Sequence, residues 1–184
     1  MTREQAVELL NKYISNVRMR NHCYASEAVM RALAEKLGRD VDLWGLAGLL
    51  HDLDVEVTNA DPAIHGSETA RILSELGVDP EVVEAIKLHN EKASGIQRSK
   101  EFHHALAAGE TITGLIVATA LVYPDKKLAN VKTKSITKRM KEKAFAASVD
   151  RSKIMECELI GLTLDDFATL SLQAMQSISD QIGL

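Results

Sequence analysis

The sequence predicts an all-α fold, a helical bundle in a single domain that spans residues 1–184. Apolar residues recur three and four positions apart along nearly the whole chain, which is the spacing of one helix face. No segment alternates between apolar and polar residues for long enough to predict a strand. Because aromatic residues make up only 4% of the chain, the core is expected to consist mainly of Leu, Ile, Val, Ala and Met side chains.

The first five helices are predicted from apolar stripes and from residues that mark helix ends. The second helix is expected to end before Gly38, since glycine often adopts the left-handed conformation there. Asp40 or Asp42 is expected to cap the third helix, which is apolar at nearly every position and should be buried on most sides. Asp79 is expected to cap the fifth helix, with Pro80 in its first turn. These helices are predicted over residues 3–16, 23–37, 42–53, 65–76 and 80–90.

The last four helices follow the same periodicity, with fewer signals at their ends. On the longest of them, Leu106, Val117 and Leu121 share one stripe. Thr163 and Asp166 resemble a capping arrangement at the start of the last helix. The helices are predicted over residues 101–122, 136–147, 150–159 and 164–181, and loops are predicted near 54–64, 91–100 and 124–135.

An adjacent His51-Asp52 pair ends the apolar run that forms the third helix. A buried imidazole beside a buried carboxylate is costly unless something compensates both groups. A divalent cation would do so, because neutral imidazoles and carboxylates are ligands for transition metals. Adjacent helical residues do not face the same way. Both side chains can therefore reach one ion only if it lies between their directions or if the helix frays, which the loop after Asp54 favours.

Four further residues are candidate ligands, because each lies on the core-facing stripe of its own predicted helix. For any one of these histidines alone, a hydrogen bond to a backbone carbonyl in the core is the ordinary explanation. For the acid, a salt bridge or a local helix bend explains burial equally well. Together with the pair they predict a metal centre in the middle of the bundle, as in other helical metal proteins. The four residues are His22, His65, His89 and Glu110.

The order of these residues resembles the HD-domain superfamily of all-helical, metal-dependent hydrolases. The most specific segments are Gly48-Leu49-Leu50-His51-Asp52-Leu53, His65-Gly66 and Ile86-Lys87-Leu88-His89-Asn90-Glu91. The resemblance covers roughly residues 20–125 and leaves a helical C-terminal extension over about 126–184.

The resemblance implies a set of metal ligands. His22, His51 and Asp52 would hold one metal, with His51 and Asp52 as the catalytic pair. In the two-metal branch of the superfamily, His65 and His89 would hold a second metal, and Asp52 would bridge the two. The distal Asp of the family is replaced by Glu110 in this chain, which is an oxygen ligand longer by one methylene.

The resemblance also implies a function, namely hydrolysis of a small phosphoester, such as a nucleotide, by metal-activated water. The cofactor would be one or two divalent transition metals (Fe, Mn, Zn, Ni or Co), with Mg as a further possibility. Two alternatives stay open at this point. One is a diiron oxygenase of the HD fold, and the other is a non-catalytic binding or regulatory module that a metal stabilises.

Composition points away from several other classes of protein. The net charge of −4 does not suggest a nucleic-acid binder. Cys23 and Cys157 form no CxxC pair, so neither a disulfide framework nor a zinc knuckle is predicted. The first residues contain no apolar signal segment, and the longest apolar stretch, near 115–123, is shorter than a bilayer requires. The expectation is a cytoplasmic enzyme with a small-molecule substrate and no membrane partner, whose oligomeric state the sequence leaves open.

Two further histidines and a basic segment complete the candidate list. His103 and His104 begin a long helix and are expected at the surface. The segment Lys126–Lys143 has two open interpretations, a phosphate-attracting rim near the metal centre or an ordinary solvated face. No aromatic residues alternate with these lysines, so a platform for nucleic-acid bases is not predicted.

Overall fold

The computed structural model describes all 184 residues, and every regular element in it is helical. The all-α prediction is therefore confirmed. Two short 3-10 turns, Leu128–Asn130 and Glu156–Ile160, interrupt the series of α-helices. The α-helices are α1 (Arg3–Tyr13), α2 (Val17–Leu37), α3 (Val41–Leu50), α4 (Ser67–Glu75), α5 (Pro80–His89), α6 (Glu91–Ser94), α7 (Glu101–Leu121), α8 (Thr133–Arg139), α9 (Arg151–Met155), α10 (Leu164–Ser177) and α11 (Ser179–Ile182).

The capping residues act as the sequence predicts. Asp40, rather than Asp42, caps α3, and its side chain accepts the backbone N–H groups at the second and third helical positions. Asp79 caps α5 with proline in the first turn, and Thr163 caps α10. Gly38 ends α2 in the left-handed conformation.

The second helix begins at Val17, six residues before its predicted start. Asn16 is the reason, because its side-chain oxygen accepts the backbone N–H groups of Arg18 and Met19. The backbone N–H of Asn16 itself donates to Glu56, in the turns that follow α3. This long-range contact is invisible to helical periodicity, and it separates α1 from α2.

The C-terminal part departs most from prediction. The helix predicted over 136–147 begins three residues earlier and already ends at Arg139. The guanidinium of Arg151 donates to the backbone carbonyls of Phe145, Ala146 and Val149. These carbonyl oxygens accept hydrogen bonds from a side chain instead of from the backbone N–H groups of a regular helix. Residues 140–149 therefore form turns.

Helix α7 is the central helix of the bundle. It packs against α2, α5, α9 and the Glu156–Ile160 turn, and α10 in turn packs on α2. The C-terminal extension is thus joined to the same core. By length and composition alone α7 could cross a membrane, but 67% of its most apolar stretch is buried within the fold, as in the core helix of a helical bundle.

One close approach of two helix backbones positions the site. Helix α2 packs more extensively against α3 than any other pair of helices. A Cβ atom at Gly48 would lie 2.6 Å from the backbone oxygen of Ser26 on α2, so only glycine permits this approach. It places the end of α3 next to the first half of α2.

The expectation of a surface pair at the start of α7 is wrong for its first member. His103 is only 1% exposed, and its Nε2 lies 3.4 Å from a carboxylate oxygen of Glu84 on α5. His104 is partly buried, and its Nδ1 lies 2.7 Å from a carboxylate oxygen of Glu156. Contacts with elements distant in the sequence cover both rings, which the pattern of α7 alone does not reveal.

Candidate metal centre

The structure brings all six predicted ligand residues to one place in the middle of the bundle. Three helices and the turns between α3 and α4 supply them. They are His22 from α2, His51 and Asp52 from the residues directly after α3, His65 from the turn before α4, His89 from the end of α5, and Glu110 from the middle of α7.

The adjacent His51 and Asp52 point to the same spot because α3 ends at Leu50. After that residue the chain tightens, and the backbone N–H of Leu53 bonds to Leu50 while that of Val55 bonds to Asp52. These three-residue spacings are those of tight turns rather than of an α-helix. Of the two possibilities left open by the sequence, fraying of the helix is the one that the structure shows.

The carboxylate of Asp52 lies at the midpoint of the four imidazoles. Its Oδ1 is 3.0 Å from Nε2 of His65 and 3.6 Å from Nε2 of His89. The same oxygen is 3.3 Å from Nε2 of His51, and Oδ2 is 3.5 Å from Nε2 of His22. Two groups of ligand atoms result, one with His22 and His51 and one with His65 and His89, and Asp52 belongs to both.

Backbone carbonyls orient two of the rings. Nδ1 of His51 lies 2.9 Å from the carbonyl oxygen of Gly48, and Nδ1 of His89 lies 2.6 Å from that of Ile86. A carbonyl oxygen only accepts, so each Nδ1 must carry the hydrogen. The lone pair of each neutral ring is then on Nε2, which faces Asp52, and this is how proteins orient metal-binding histidines.

A threonine orients the third ring by the same logic. The hydroxyl of Thr113 donates its hydrogen to the backbone oxygen of Glu110, at 2.6 Å. Its oxygen can therefore only accept from Nδ1 of His22, 2.9 Å away. His22 also presents a lone pair on Nε2 to the centre.

Asp54 orients the fourth ring, a role that the sequence analysis did not assign. This fully buried carboxylate lies 2.7 Å from Nδ1 of His65 through Oδ1. Its Oδ2 accepts the backbone N–H groups of Gly66 and Thr69, at 2.8 and 3.0 Å. The sequence contains one signal for this role, a carboxylate two residues after the His-Asp pair. The groups that Asp54 binds lie eleven to fifteen residues further along the chain, so helical periodicity does not reveal the contacts.

The donor atoms fit a divalent cation. Nε2 of His22 lies 3.1 Å from Nε2 of His51, and Nε2 of His89 lies 3.2 Å from Nε2 of His65. Between two neutral rings that both carry hydrogen on Nδ1, such a contact sets one lone pair against another. A shared cation, or a proton, removes that repulsion. Imidazole nitrogens with a central carboxylate are the ligand set of Zn, Fe, Ni and related metals.

The electrostatics of the centre follow from its burial and its mixture of charges. Burial alone would raise the pKa of Asp52, but His51 and the other imidazoles hold it well below the ordinary value. Burial lowers the pKa of His22 and of His51. Burial also opposes protonation of His65, but Asp52 and Asp54 on either side raise its pKa to about 10. In the metal-free protein a proton on His65 therefore takes the place of a cation.

Glu110 lies at the edge of the centre. Its Oε2 is 4.0 Å from Nε2 of His22, while Oε1 accepts the hydroxyl of Thr111 at 2.6 Å. Oε1 is also 3.5 Å from Nζ of Lys153, which belongs to α9 in the C-terminal extension. Lys153 donates to the backbone oxygen of His89 as well, at 3.1 Å. That Glu110 binds metal stays a prediction, and Lys153 is a second residue that sequence reasoning missed.

The basic segment Lys126–Lys143 does not supply a phosphate-attracting rim beside the metal centre. Lys134, Lys138 and Lys141 line a surface cavity together with residues at the start of α10. Lys138 is 79% exposed and pairs with Glu142 on its own segment. The structure therefore favours the solvated-face interpretation for these lysines, and the cation beside the centre is Lys153.

Removal of metal should give a protein whose stability falls as the pH rises from about 6.5 to about 10. The folded-state pKa of His65 lies above its ordinary value, so its contribution to the free energy of unfolding is complete below about 6.5 and is lost as the pH passes through 10. Urea unfolding of chelator-treated protein across this range measures the effect. Asp54→Asn removes one of the two carboxylates that raise the pKa of His65, so the stability of this variant should stop falling at a lower pH. A wild-type stability that does not change over this pH range would contradict the assignment.

Replacing His65 and His89 together by Ala should leave about one metal per chain in a protein that binds two. The reason is that His22 and His51 still converge on Asp52 when the other pair is gone. Metal analysis of the folded variant measures the ratio. The matched control replaces His103 and His104, which lie outside the centre and should leave the metal content unchanged. Equal metal content in the variant and the wild type would show that the second pair holds no ion.

The comparisons with known proteins agree with this geometry. Residues 19–121, more than half of the chain, match the family model described as HD domain. No curated protein and no solved structure matches the chain. The match begins just before His22 and ends with the last residue of α7, so it contains all six predicted ligand residues and excludes Lys153. With its helical core built around a buried cluster of His and Asp side chains, this chain belongs to the HD-domain family.

Proposed function

We propose that the protein is a metal-dependent phosphohydrolase that cleaves a small phosphoester by attack of water. The single observation that supports it best is the convergence of four Nε2 atoms on the Asp52 carboxylate, in rings whose Nδ1 atoms are all held by other groups. HD-domain proteins are typically metal-dependent phosphohydrolases, and the cluster has the composition that such chemistry requires. A divalent cation held by these residues would lower the pKa of bound water and offset negative charge on a phosphoryl oxygen.

The side chains around the centre favour water over a protein nucleophile. The hydroxyls of Thr111 and Thr113 both donate to Glu110, so neither is free to attack. Cys23 is fully buried, and burial raises the pKa of its thiol well above the usual value. Glu110 is ionised, since Lys153 and nearby imidazoles outweigh burial and lower its pKa. It is placed to accept a proton from water at the edge of the cluster.

The remaining residues hold this arrangement in place. Thr113, Gly48, Asp54 and Ile86 each fix one ring, so the four imidazoles need no reorientation when substrate binds. The side-chain amide of Asn90 donates to the backbone oxygen of His65 and thereby steadies the turn that carries this residue.

Lys153 is one cation available to a phosphoryl group at this site, since its Nζ lies 3.5 Å from Oε1 of Glu110. Lys153→Gln should raise KM for a phosphoester about tenfold, as loss of a charged hydrogen bond predicts, and should lower kcat less. The matched control is the double variant Lys134→Gln/Lys138→Gln, which removes two positive charges from α8, beside the start of α10. Steady-state kinetics at low ionic strength compare them. A larger effect in the control would return the substrate-binding role to the basic segment.

A screen of the metal-bearing protein against nucleotides, sugar phosphates and aryl phosphates tests the proposal directly. Hydrolysis that a chelator abolishes and that Mn, Fe, Zn, Ni or Co restores would support it. The donor set also accommodates two irons, so metal analysis with spectroscopy distinguishes the HD-fold oxygenase, which would show a mixed-valent iron signal and no phosphatase activity. Bound metal with neither property would identify a regulatory module.

A further inference from the structure

A cavity of about 380 Å³ opens on the side of the cluster where His22 stands. It lies between the first half of α2, the last turns of α7 and the final residues of the chain around α11. His22 and Thr113 form its inner wall. The His22 side chain is 23% exposed, so a molecule in the cavity would touch a predicted metal ligand directly.

The walls of this cavity are mainly apolar. The side chain of Leu121 is half exposed, at 50%, although it lies at the end of the central helix. The polar lining residues are Arg18, Asn21, His22 and Thr113, and the amide of Asn21 already donates to the backbone oxygen of Ile182. The apolar lining residues are Val117, Ala118, Leu121, Ile182 and Leu184.

One positively charged side chain borders the cavity. Arg18 lines the cavity and lies one helical turn before His22, hence on the same face of α2. Its side chain makes no hydrogen bond or ion pair within the chain, unlike Arg3, Arg31, Arg39 and Arg71. A free guanidinium next to a centre that would bind a phosphoryl group attracts an anion to the same place.

We infer that the substrate is a phosphoester with a compact apolar organic group. This cavity binds the apolar group, and the phosphoryl group lies at the His22 end of the cavity. This inference rests on the proposed function and makes its substrate class specific. The volume is near the lower end of the range for small-molecule pockets, and a mainly apolar lining with a few polar groups is typical of such pockets. A polyhydroxylated sugar would lose water at these walls without gaining hydrogen bonds.

Two non-hydrolysable probes test the inference on the metal-bearing protein, methylphosphonate and benzylphosphonate. Both present the same phosphonate group, and only the second has an apolar group to place in the cavity. Burial of a phenyl-sized group predicts that benzylphosphonate binds about tenfold more tightly or better. Titration calorimetry gives both dissociation constants, and their ratio measures what the cavity contributes.

Two cavity-filling variants and one control make the test specific. Ala118→Phe should bring the ratio close to one, and Leu121→Trp, at a half-exposed position that tolerates change, should lower it as well. Val122→Phe is the control, because Val122 is 54% exposed, follows Leu121 directly and does not line the cavity. It should keep the wild-type ratio.

The outcomes separate this inference from the proposed function. If methylphosphonate binds and Asp52→Ala abolishes its binding, the phosphoryl site is supported whatever the ratio. A wild-type ratio near one, or a ratio unchanged in both cavity variants, would overturn the apolar-group inference alone. If neither phosphonate binds, the proposed function fails and the inference fails with it.

Discussion

Asp52→Ala is expected to remove bound metal and phosphoester hydrolysis together, with a loss of rate on the order of a thousandfold or more. Asp52 is the only residue that belongs to both groups of ligand atoms, since its Oδ1 faces three imidazoles and its Oδ2 faces His22. Without it, each remaining pair of rings lacks the negative charge that balances a divalent cation. Metal analysis and hydrolysis assays on the same folded sample measure both losses.

Two comparisons make the Asp52 result interpretable. Asp61→Ala removes an exposed carboxylate from the turns that follow the same helix, and it should retain both metal and activity. Asp52→Asn keeps the shape of the side chain and removes its charge, so it should lose metal nearly as completely. If Asp52→Ala retained its full metal content, the centre would have to lie elsewhere.

Asp54→Ala is expected to lower the free energy of unfolding by about 3 kcal/mol or more, because it leaves two buried backbone N–H groups and one imidazole without an acceptor. The side chain is fully buried, so bulk water does not contact these groups in the folded protein. The same change frees the ring of His65 to rotate. Loss of such an orienting partner typically weakens metal binding by about 10-fold to 100-fold.

Urea unfolding and metal titration measure the two consequences of Asp54→Ala separately. Asp61→Ala again serves as the control, since it removes one hydrogen bond in an exposed turn and should change stability by less than about 1 kcal/mol. The weakening of metal binding should be confined to an ion at the predicted site of His65 and His89. Equal unfolding midpoints for Asp54→Ala and Asp61→Ala would contradict the role assigned to Asp54.

Much of the fold could be predicted because its signals are local. Helical periodicity and caps such as Asp40, Asp79 and Thr163 depend on neighbours within one or two turns, and all three caps are present in the structure. The boundaries that failed depend on distant contacts. Glu56 assists the early start of α2, and Arg151 holds the turns that follow α8.

The sequence by itself determined the all-helical class and the six ligand-type residues, because the spacing of apolar residues shows which side chains face the core. Only the tertiary structure decided how these residues are arranged around Asp52, which nitrogen of each ring faces inward, and that Asp54 and Lys153 belong to the site. Ring orientation depends on hydrogen-bond partners such as Asp54, eleven residues from His65, and the position of Lys153 depends on the packing of α9 against α7. Such contacts produce no periodic pattern in the sequence, because each joins two segments that are distant along the chain and meet only when the helices pack.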